Sequence, residues 1–324
     1  MNMRGSGDLK QTSKILISFA KRIPGAVELV GLIRRIRLTL VKTTLKIFQS
    51  RLKSYYWREV YFDALNAPYA VSDHSTENYI VKTSDKVIGK LLYCRGDFDL
   101  QKLERALSII DKERVTGKPY ILFDIGANIG SICIPAVKRG YVKRAVAYEP
   151  DPDNFRLLRI NAILNNVEEL IEFHQVALGD KQGEAQLSQN FINHGDHRIV
   201  VTGEAVPANS ITVPVRCLDD FMPDGEDTEC ILWIDVQGFE TQVLCGAQAV
   251  LAKTWPLVLE FTPKDLKANG TLDRLIEILT QSAYLIFFDL EHDSASAQTL
   301  NSDNLLRLAL SLEERDTFTD ILFI

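Results

Sequence analysis

Residues 120–130 read YILFDIGANIG, and this stretch decides the fold. It joins a short apolar run, typical of a buried strand, to a turn that contains two glycines. The same alternation continues along the chain. Strands are predicted at 120–124, 145–149, 171–177, 231–235, 257–261, 285–289 and 318–324, with helices at 129–139, 152–165, 239–252 and 271–282. Buried strands that alternate with helices predict an α/β fold with a doubly wound, mostly parallel seven-stranded sheet.

The main domain is predicted to span residues 79–324, with its motif core at 119–262. Its first part carries short apolar runs separated by Gly and by Thr-Ser-Asp, followed by an amphipathic helix at 100–110. The short runs predict strands at 79–81, 87–89 and 91–93.

Residues 1–78 are predicted to form a basic, helical N-terminal extension. Residues 1–60 hold thirteen Lys and Arg against three Asp and Glu, and apolar residues recur at helical spacing over 14–58. Charges interrupt every apolar run, which argues against a membrane span of about 20 residues and against a secretory signal. Two interpretations stay open: a helix that lies on an anionic membrane or a partner, and a helix that packs against the main domain.

The rest of the chain is acidic, with 24 Lys and Arg against 40 Asp and Glu. Such a balance argues against a partner that is a nucleic acid. The five cysteines are scattered and form no Cys-x-x-Cys pair, which favours a reducing compartment. We therefore expect a cytoplasmic protein, with peripheral membrane contact as the alternative.

The turn after the first strand predicts a cofactor site. Gly126 permits a tight turn and a close ligand, and Gly130 lets the following helix pack close to the strand. Glu149 ends the second strand at the same edge of the sheet, where a carboxylate can accept hydrogen bonds from both hydroxyls of a ribose. The turn and the acid together fit either a dinucleotide or S-adenosylmethionine.

The spacing of the turn favours S-adenosylmethionine. A dinucleotide fingerprint is Gly-x-Gly-x-x-Gly, whereas here Asn128 lies between the two glycines and Asp124 precedes them. Asp124 would repel a pyrophosphate but tolerates the cationic end of S-adenosylmethionine. We predict that Gly126, Asn128 and Gly130 bind the methionine end of the cofactor, with Asp124 orienting the loop or capping the turn. An NAD-dependent oxidoreductase is the alternative enzyme.

Several motifs together resemble the FkbM family of methyltransferases. In chain order they are DIGANIG (Asp124–Gly130), YEPDP (Tyr148–Pro152), ALGD (Ala177–Asp180), LDD (Leu218–Asp220), IDVQGFE (Ile234–Glu240), LCGA (Leu244–Ala247) and Glu260. The resemblance implies a Rossmann-like methyltransferase fold and O-methylation of a hydroxyl on a sugar, a glycan or a natural product. In similar folds the third strand end, here Ala177, passes beside the adenine.

One position departs from the family pattern. Trp233 stands where the family usually has a lysine, two residues before Asp235. Strand alternation places both on one face, so Trp233 either lines the pocket or belongs to the core. The missing lysine also leaves open a non-catalytic, membrane-tethered binding module on the same fold.

Asp235 ends the fourth strand and is the leading candidate for the general base, with helix capping as the alternative role. His194 and His197 lie in a loop between the third and fourth main strands and are further candidates for the base. Their spacing gives only a weak metal signal, and we predict no metal site. Asp219 and Asp220 fit a helix cap better than a Mg²⁺ site.

Overall fold

The computed structural model describes residues 55–72, 74–114, 117, 119–201, 205–223, 228–291 and 296–324. The chain divides into two compact units, Met1–Tyr61 and Phe62–Ile324. The helical segment predicted over residues 14–58 lies outside the described residues as far as residue 54. The boundary predicted between residues 78 and 79 stays a prediction. Within the described parts of the chain, none of the helices has the length and apolar character that crossing a membrane requires.

The first described segment differs from its prediction at residues 87–93. Its elements are α1 (Tyr55–Asp63), β1 (Tyr69–Val71), β2 (Ile80–Lys82), α2 (Ile88–Arg95) and α3 (Leu100–Glu113). The strands expected at 87–89 and 91–93 were wrong, because the Asp85 carboxylate accepts the backbone N–H groups of Val87 and Gly89 and so stabilises the first turn of α2. The helix expected at 100–110 is present as α3.

The next segment forms the first half of the central sheet and a small second sheet. Its elements are β3 (Ile121–Ile125), α4 (Cys133–Lys138), β4 (Arg144–Tyr148), α5 (Pro152–Leu164), β5 (Ile171–His174), β6 (Ala177–Leu178), β7 (Gly183–Ser188), β8 (Arg198–Ile199) and β9 (Ser210–Arg216). The strand expected at 171–177 is broken, because β6 leaves the central sheet and pairs with β9 instead.

The last segment completes the central sheet. Its elements are β10 (Cys230–Ile234), α6 (Glu240–Cys245), α7 (Gln248–Leu251), β11 (Leu257–Phe261), α8 (Pro263–Ala268), α9 (Leu272–Gln281), β12 (Ile286–Asp289), β13 (Gln298–Thr299), α10 (Ser302–Glu314) and β14 (Thr319–Phe323). The helix expected at 239–252 is interrupted at Gly246, where a Cβ would lie 2.0 Å from the carbonyl oxygen of Gly179. Asp219 then caps α7 by accepting the N–H groups of Ala249 and Val250.

The strand order of the central sheet confirms the predicted fold class. In space the order is β13-β12-β14-β11-β10-β3-β4-β5, with β11 to β5 parallel and β14 antiparallel between β11 and β12. Seven of these strands were predicted, and the eighth is the two-residue edge strand β13. The strands β3 and β10 are buried along their whole length, so helices cover both faces of the sheet's centre. The chain leaves both strands at one edge, where the candidate site lies.

Candidate functional site

Gly126 brings the ends of the two central strands into contact. Its φ is +89°, and a Cβ at this position would lie 1.8 Å from the carbonyl oxygen of Asp235. Any side chain would therefore push β3 and β10 apart. Gly130 also has a positive φ, and a Cβ there would collide with Ile134 and Leu158 under the turn. Both glycines are thus required by the backbone of the turn.

Asn128 connects the glycine turn to its surroundings. Its backbone N–H donates to Glu149 Oε2 (2.9 Å), and its side-chain Nδ2 donates to the carbonyl oxygen of His194 (2.9 Å). The other carboxylate oxygen of Glu149 accepts the N–H of Asp151 (2.8 Å). Burial raises the pKa of Glu149 to about 8. Both oxygens of this acid therefore already organise backbone, while each keeps capacity for a further hydrogen bond.

A cavity of mixed character, here called the mixed cavity, opens beside this turn, and its empty volume, with the adjoining open solvent included, is about 540 Å³. Its apolar wall is formed by Ile125, Val176, Ala177, Leu178, Leu187, Ile199, Val236 and Phe239. Its polar wall includes Asn128, Glu149, Asn154, His194, His197 and Asp235. The cavity thus has the bipolar lining that suits a ligand with an aromatic base and a polar sugar.

The histidine loop, residues 189–198, closes one side of the mixed cavity. His194 is buried, and its Nε2 lies 3.1 Å from the Ser84 hydroxyl. His197 Nδ1 accepts the N–H of Asn190 (2.9 Å). Burial lowers the pKa of both imidazoles, that of His197 to about 4, so both rings are neutral at pH 7.

A second cavity, here called the acidic cavity, also adjoins the glycine turn, and its empty volume, with the adjoining open solvent included, is about 1190 Å³. Seven carboxylates line it: Asp99, Asp124, Asp196, Asp235, Glu260, Asp265 and Asp320. Gly126, Asn128, Gly195, Asp235 and Gln237 line both cavities. The two cavities therefore adjoin at the ends of β3 and β10.

Two cations neutralise part of this acid. Lys102 Nζ lies 2.6 Å from Asp320 and 3.3 Å from Asp99, and Arg198 bonds Asp196 and Asp265 at 2.5 and 2.8 Å. Among the described residues, no cation forms an ion pair with Asp124, Asp235 or Glu260. These last three carboxyls are the ones nearest the glycine turn and the ends of β10 and β11.

Asp235 and Glu260 share one hydrogen-bond donor. Gln237 has a positive φ, and its Nε2 donates to Asp235 Oδ1 (2.8 Å) and to Glu260 Oε2 (3.0 Å). Burial raises the pKa of Asp235 to about 7 and, together with the negative charge of Asp235, raises that of Glu260 well above its usual range. The two carboxyls therefore bind a proton more readily than exposed acids do, and the charge of Asp235 opposes the ionisation of Glu260.

Asp124 holds the start of α4. Its Oδ2 accepts the backbone N–H of Cys133 (3.0 Å), and burial raises its pKa to about 6. The side chain also lines the acidic cavity. Trp233 is buried in the core beneath this cavity and contributes to its lining. Trp233 is therefore both a core residue and a pocket residue.

The structure brings most of the predicted site residues to one edge of the sheet. Gly126, Asn128, Glu149, Ala177, His194, His197 and Asp235 line the mixed cavity, and Asp124 lines the acidic one. Gly130 lies under the turn. Among the described residues no group of three or more His, Cys, Asp and Glu could hold a metal ion. Four further residues of the cavities had no role predicted from the sequence: Gln237 after β10, Glu260 in β11, Asn154 in α5 and Asp320 in β14.

A parallel sheet with a glycine turn and an acid at adjacent strand ends defines the class of α/β enzymes that bind a ligand at the carboxyl edge of the sheet. The family model "Methyltransferase FkbM domain" matches residues 124–286, half of the chain. The protein therefore belongs to the FkbM methyltransferase family. This assignment confirms the prediction of a methyltransferase that uses S-adenosylmethionine, in place of the oxidoreductase alternative.

Solved structures similar to this chain share little sequence with it. An RNA methyltransferase from Salinibacter ruber, crystallised with S-adenosyl-L-homocysteine, is 19% identical (49% of this chain, 73% of that chain, TM-score 0.26). A precorrin-6y C5,15-methyltransferase from Geobacter metallireducens is 16% identical (68% and 86%, TM-score 0.35). The StiE O-MT is 9% identical (69% and 72%, TM-score 0.36). No curated protein sequence matches this chain significantly.

Proposed function

We propose that this protein transfers a methyl group from S-adenosylmethionine to a hydroxyl oxygen of a sugar, a glycan or a natural product. The observation that carries the proposal is the pair of adjoining cavities, since Asp235 contributes to the lining of both. One cavity suits the adenosine part of the donor, and the other offers acceptors for the hydroxyls of a second molecule.

The residues present fit the donor in shape and in charge. Ala177 and its apolar neighbours would hold the adenine, Glu149 the ribose, and the turn with Gly126, Asn128 and Gly130 the methionine end. S-adenosylmethionine carries two positive charges, on its sulfonium and its ammonium, and one negative charge, on its carboxylate. Asp124 and Asp235, which have no paired cation among the described residues, offset this excess positive charge in their ionised forms.

S-adenosylmethionine supplies an activated methyl group, so the chain's own task is to orient the acceptor and to remove its proton. Asp235 is placed for the second task, because a pKa of about 7 lets it accept a proton near neutral pH. Gln237 fixes the Asp235 carboxylate through Oδ1, which leaves Oδ2 for the acceptor hydroxyl. His197 is a weaker base, because burial lowers its pKa to about 4.

The lining of the acidic cavity supports a neutral acceptor that is rich in hydroxyls. Carboxylates accept hydrogen bonds from sugar hydroxyls, and they repel phosphates. This lining therefore disfavours a nucleic acid.

The basic residues 1–60 form a separate feature of the sequence, and we propose peripheral contact of this segment with an anionic membrane. Cosedimentation of the full-length protein with phosphatidylserine vesicles, and its loss in a variant lacking residues 1–60, would test that contact.

The methyl transfer itself is tested with S-adenosylmethionine labelled with ¹³C in its methyl group. The purified protein is incubated with fractionated glycan and lipid extracts, and products are followed by NMR and mass spectrometry. We expect a labelled methyl ether that survives alkaline hydrolysis, and no label with Asp235→Asn. A label on nitrogen or carbon, or one that alkali releases as from an ester, would contradict O-methylation of a hydroxyl.

A further inference from the structure

Two buried polar atoms without a hydrogen-bond partner belong to side chains on the polar wall of the mixed cavity. They are Asn154 Oδ1 and His194 Nδ1, on side chains that are 1% and 4% exposed. Buried polar atoms are almost always paired, so two such atoms at one cavity indicate a ligand that pairs with them. This observation is independent of the glycine turn and of Glu149.

Asn154 gives the clearest direction. Its Nδ2 donates to the carbonyl oxygen of His194 (2.9 Å), which fixes the amide orientation and leaves Oδ1 as the free acceptor. Asn154 lies in the first turn of α5, directly after the Asp151 cap, and Glu149 accepts the N–H of Asp151. The acceptors Glu149 and Asn154 therefore border the polar wall of one cavity.

The histidine loop is held against this wall by three further contacts. The carbonyl oxygen of His194 accepts from Asn128 as well as from Asn154, each at 2.9 Å. Gln189 Nε2 donates to Asp151 Oδ2 (2.5 Å), and His197 Nε2 lies 3.9 Å from the same oxygen. The loop is thus attached to the glycine turn and to the start of α5, the two elements that border the ribose in the proposed function.

We propose that Asn154 and His194 bind the ribose of the methyl donor, together with Glu149, so that the histidine loop clamps the donor. Asn154 Oδ1 accepts the hydrogen of one ribose hydroxyl and Glu149 accepts that of the other, while His194 donates from Nδ1 to a hydroxyl oxygen and accepts from the Ser84 hydroxyl at Nε2. The inference rests on the proposed function, and it gives His194 a role in donor binding in place of the role of a base.

Binding of S-adenosyl-L-homocysteine tests the inference without knowledge of the acceptor. Calorimetry compares the full-length protein with Asn154→Ala and His194→Ala, each titrated with S-adenosyl-L-homocysteine and with its 2′-deoxy and 3′-deoxy analogues. The wild type should lose about tenfold in affinity for each deoxy analogue, as one lost hydrogen bond gives. Each variant should bind S-adenosyl-L-homocysteine about tenfold more weakly and should no longer discriminate against one of the analogues.

Asn161→Ala is the matched control. Asn161 is buried in the same helix and donates to the carbonyl oxygens of Ile80 and Ile129, away from the cavity. This variant should unfold at lower temperature yet keep the full discrimination between ribose and deoxyribose. If Asn154→Ala does not fold, His194→Ala decides, because it removes the imidazole and keeps the carbonyl that Asn128 and Asn154 bind.

The outcomes separate the two proposals. A wild type that binds neither S-adenosylmethionine nor S-adenosyl-L-homocysteine overturns the proposed function. A wild type that binds both, with variants that discriminate against the deoxy analogues as strongly as it does, overturns only the ribose contacts of Asn154 and His194.

Discussion

The mixed cavity and the acidic cavity share the glycine turn but control charge in different ways. In the mixed cavity burial keeps two histidines neutral and raises the pKa of Glu149 to about 8, and backbone amides occupy both oxygens of that acid. In the acidic cavity seven carboxylates meet two cations. The mixed cavity is thus built to hold a ligand by shape and hydrogen bonds. The acidic cavity keeps an excess of carboxylates, which can accept hydrogen bonds and protons.

The largest effect is expected for Asp235→Asn. The change keeps the hydrogen-bonding shape but removes the base, so turnover should fall roughly 10²–10⁴-fold. Binding of S-adenosyl-L-homocysteine, measured by calorimetry, should stay near the wild-type value. Unchanged turnover would contradict the role of Asp235 as the base. His194 and His197 would then be the next residues to replace.

The same substitution should stabilise the protein without ligand. Because the folded-state pKa of Asp235 is raised to about 7, its charge costs stability progressively as pH rises from about 4 to 7. Asp235→Asn should therefore raise the free energy of unfolding at pH 8 by up to about 4 kcal/mol. Urea titrations should show this gain shrink as pH falls and vanish below about pH 3, where Asp235 is neutral in both states. A gain that persists there would point to a cause other than ionisation.

Glu149→Ala tests the mixed cavity. It removes the proposed ribose contact and the acceptor for the N–H groups of Asn128 and Asp151, so donor binding should weaken by about 1.5–3 kcal/mol. Glu149→Gln keeps one carbonyl acceptor and should lose less. Calorimetry with S-adenosyl-L-homocysteine provides the measurement. Equal affinities in all three proteins would remove Glu149 from the donor site.

The smallest expected effect distinguishes a charged donor from its neutral product. Asp124 and Asp235 titrate near pH 6 and 7, and a sulfonium favours their ionised forms. The charges that face Asp235 from neighbouring elements are those of Asp99, Glu240, Glu260 and Asp320, all negative.

Binding of S-adenosylmethionine should therefore tighten about tenfold from pH 6 to pH 8 and release protons, while S-adenosyl-L-homocysteine should change less. Calorimetry in two buffers with different ionisation enthalpies measures the protons released. Equal proton release by both ligands would show that the acidic cavity does not respond to the donor's charge.

The sequence predicted the sheet and the mixed cavity better than the acidic one. Gly126, Glu149 and Ala177 follow consecutive parallel strands, so strand order alone brings them to one edge. Asp99, Glu260 and Asp320 come from elements far apart in sequence. Their meeting depends on the antiparallel strand β14, which places Asp320 opposite Glu260. No local pattern in the amino-acid sequence predicts that β14 pairs with β11.

Individual contacts in the structure account for the wrong predictions. The apolar runs at 87–93 have the composition of strands, but the Asp85 carboxylate satisfies the first N–H groups of a helix there. The break of the helix at Gly246 arises from the carbonyl of Gly179, 67 positions earlier in the chain. Asn154 was missed because its sequence position suggests an ordinary first-turn residue, and only the unpaired Oδ1 distinguishes it.

The alternating course of the histidine loop has a consequence for how this enzyme could evolve. His194 and His197 line the mixed cavity, Asn193, Asp196 and Arg198 line the acidic one, and Gly195 lines both. In the proposed function, a single short segment thus presents one set of positions to the donor and another to the acceptor. Substitutions at 193, 196 and 198 can change the choice of acceptor while the residues that face the donor stay as they are. New specificity then requires no rebuilding of the donor site.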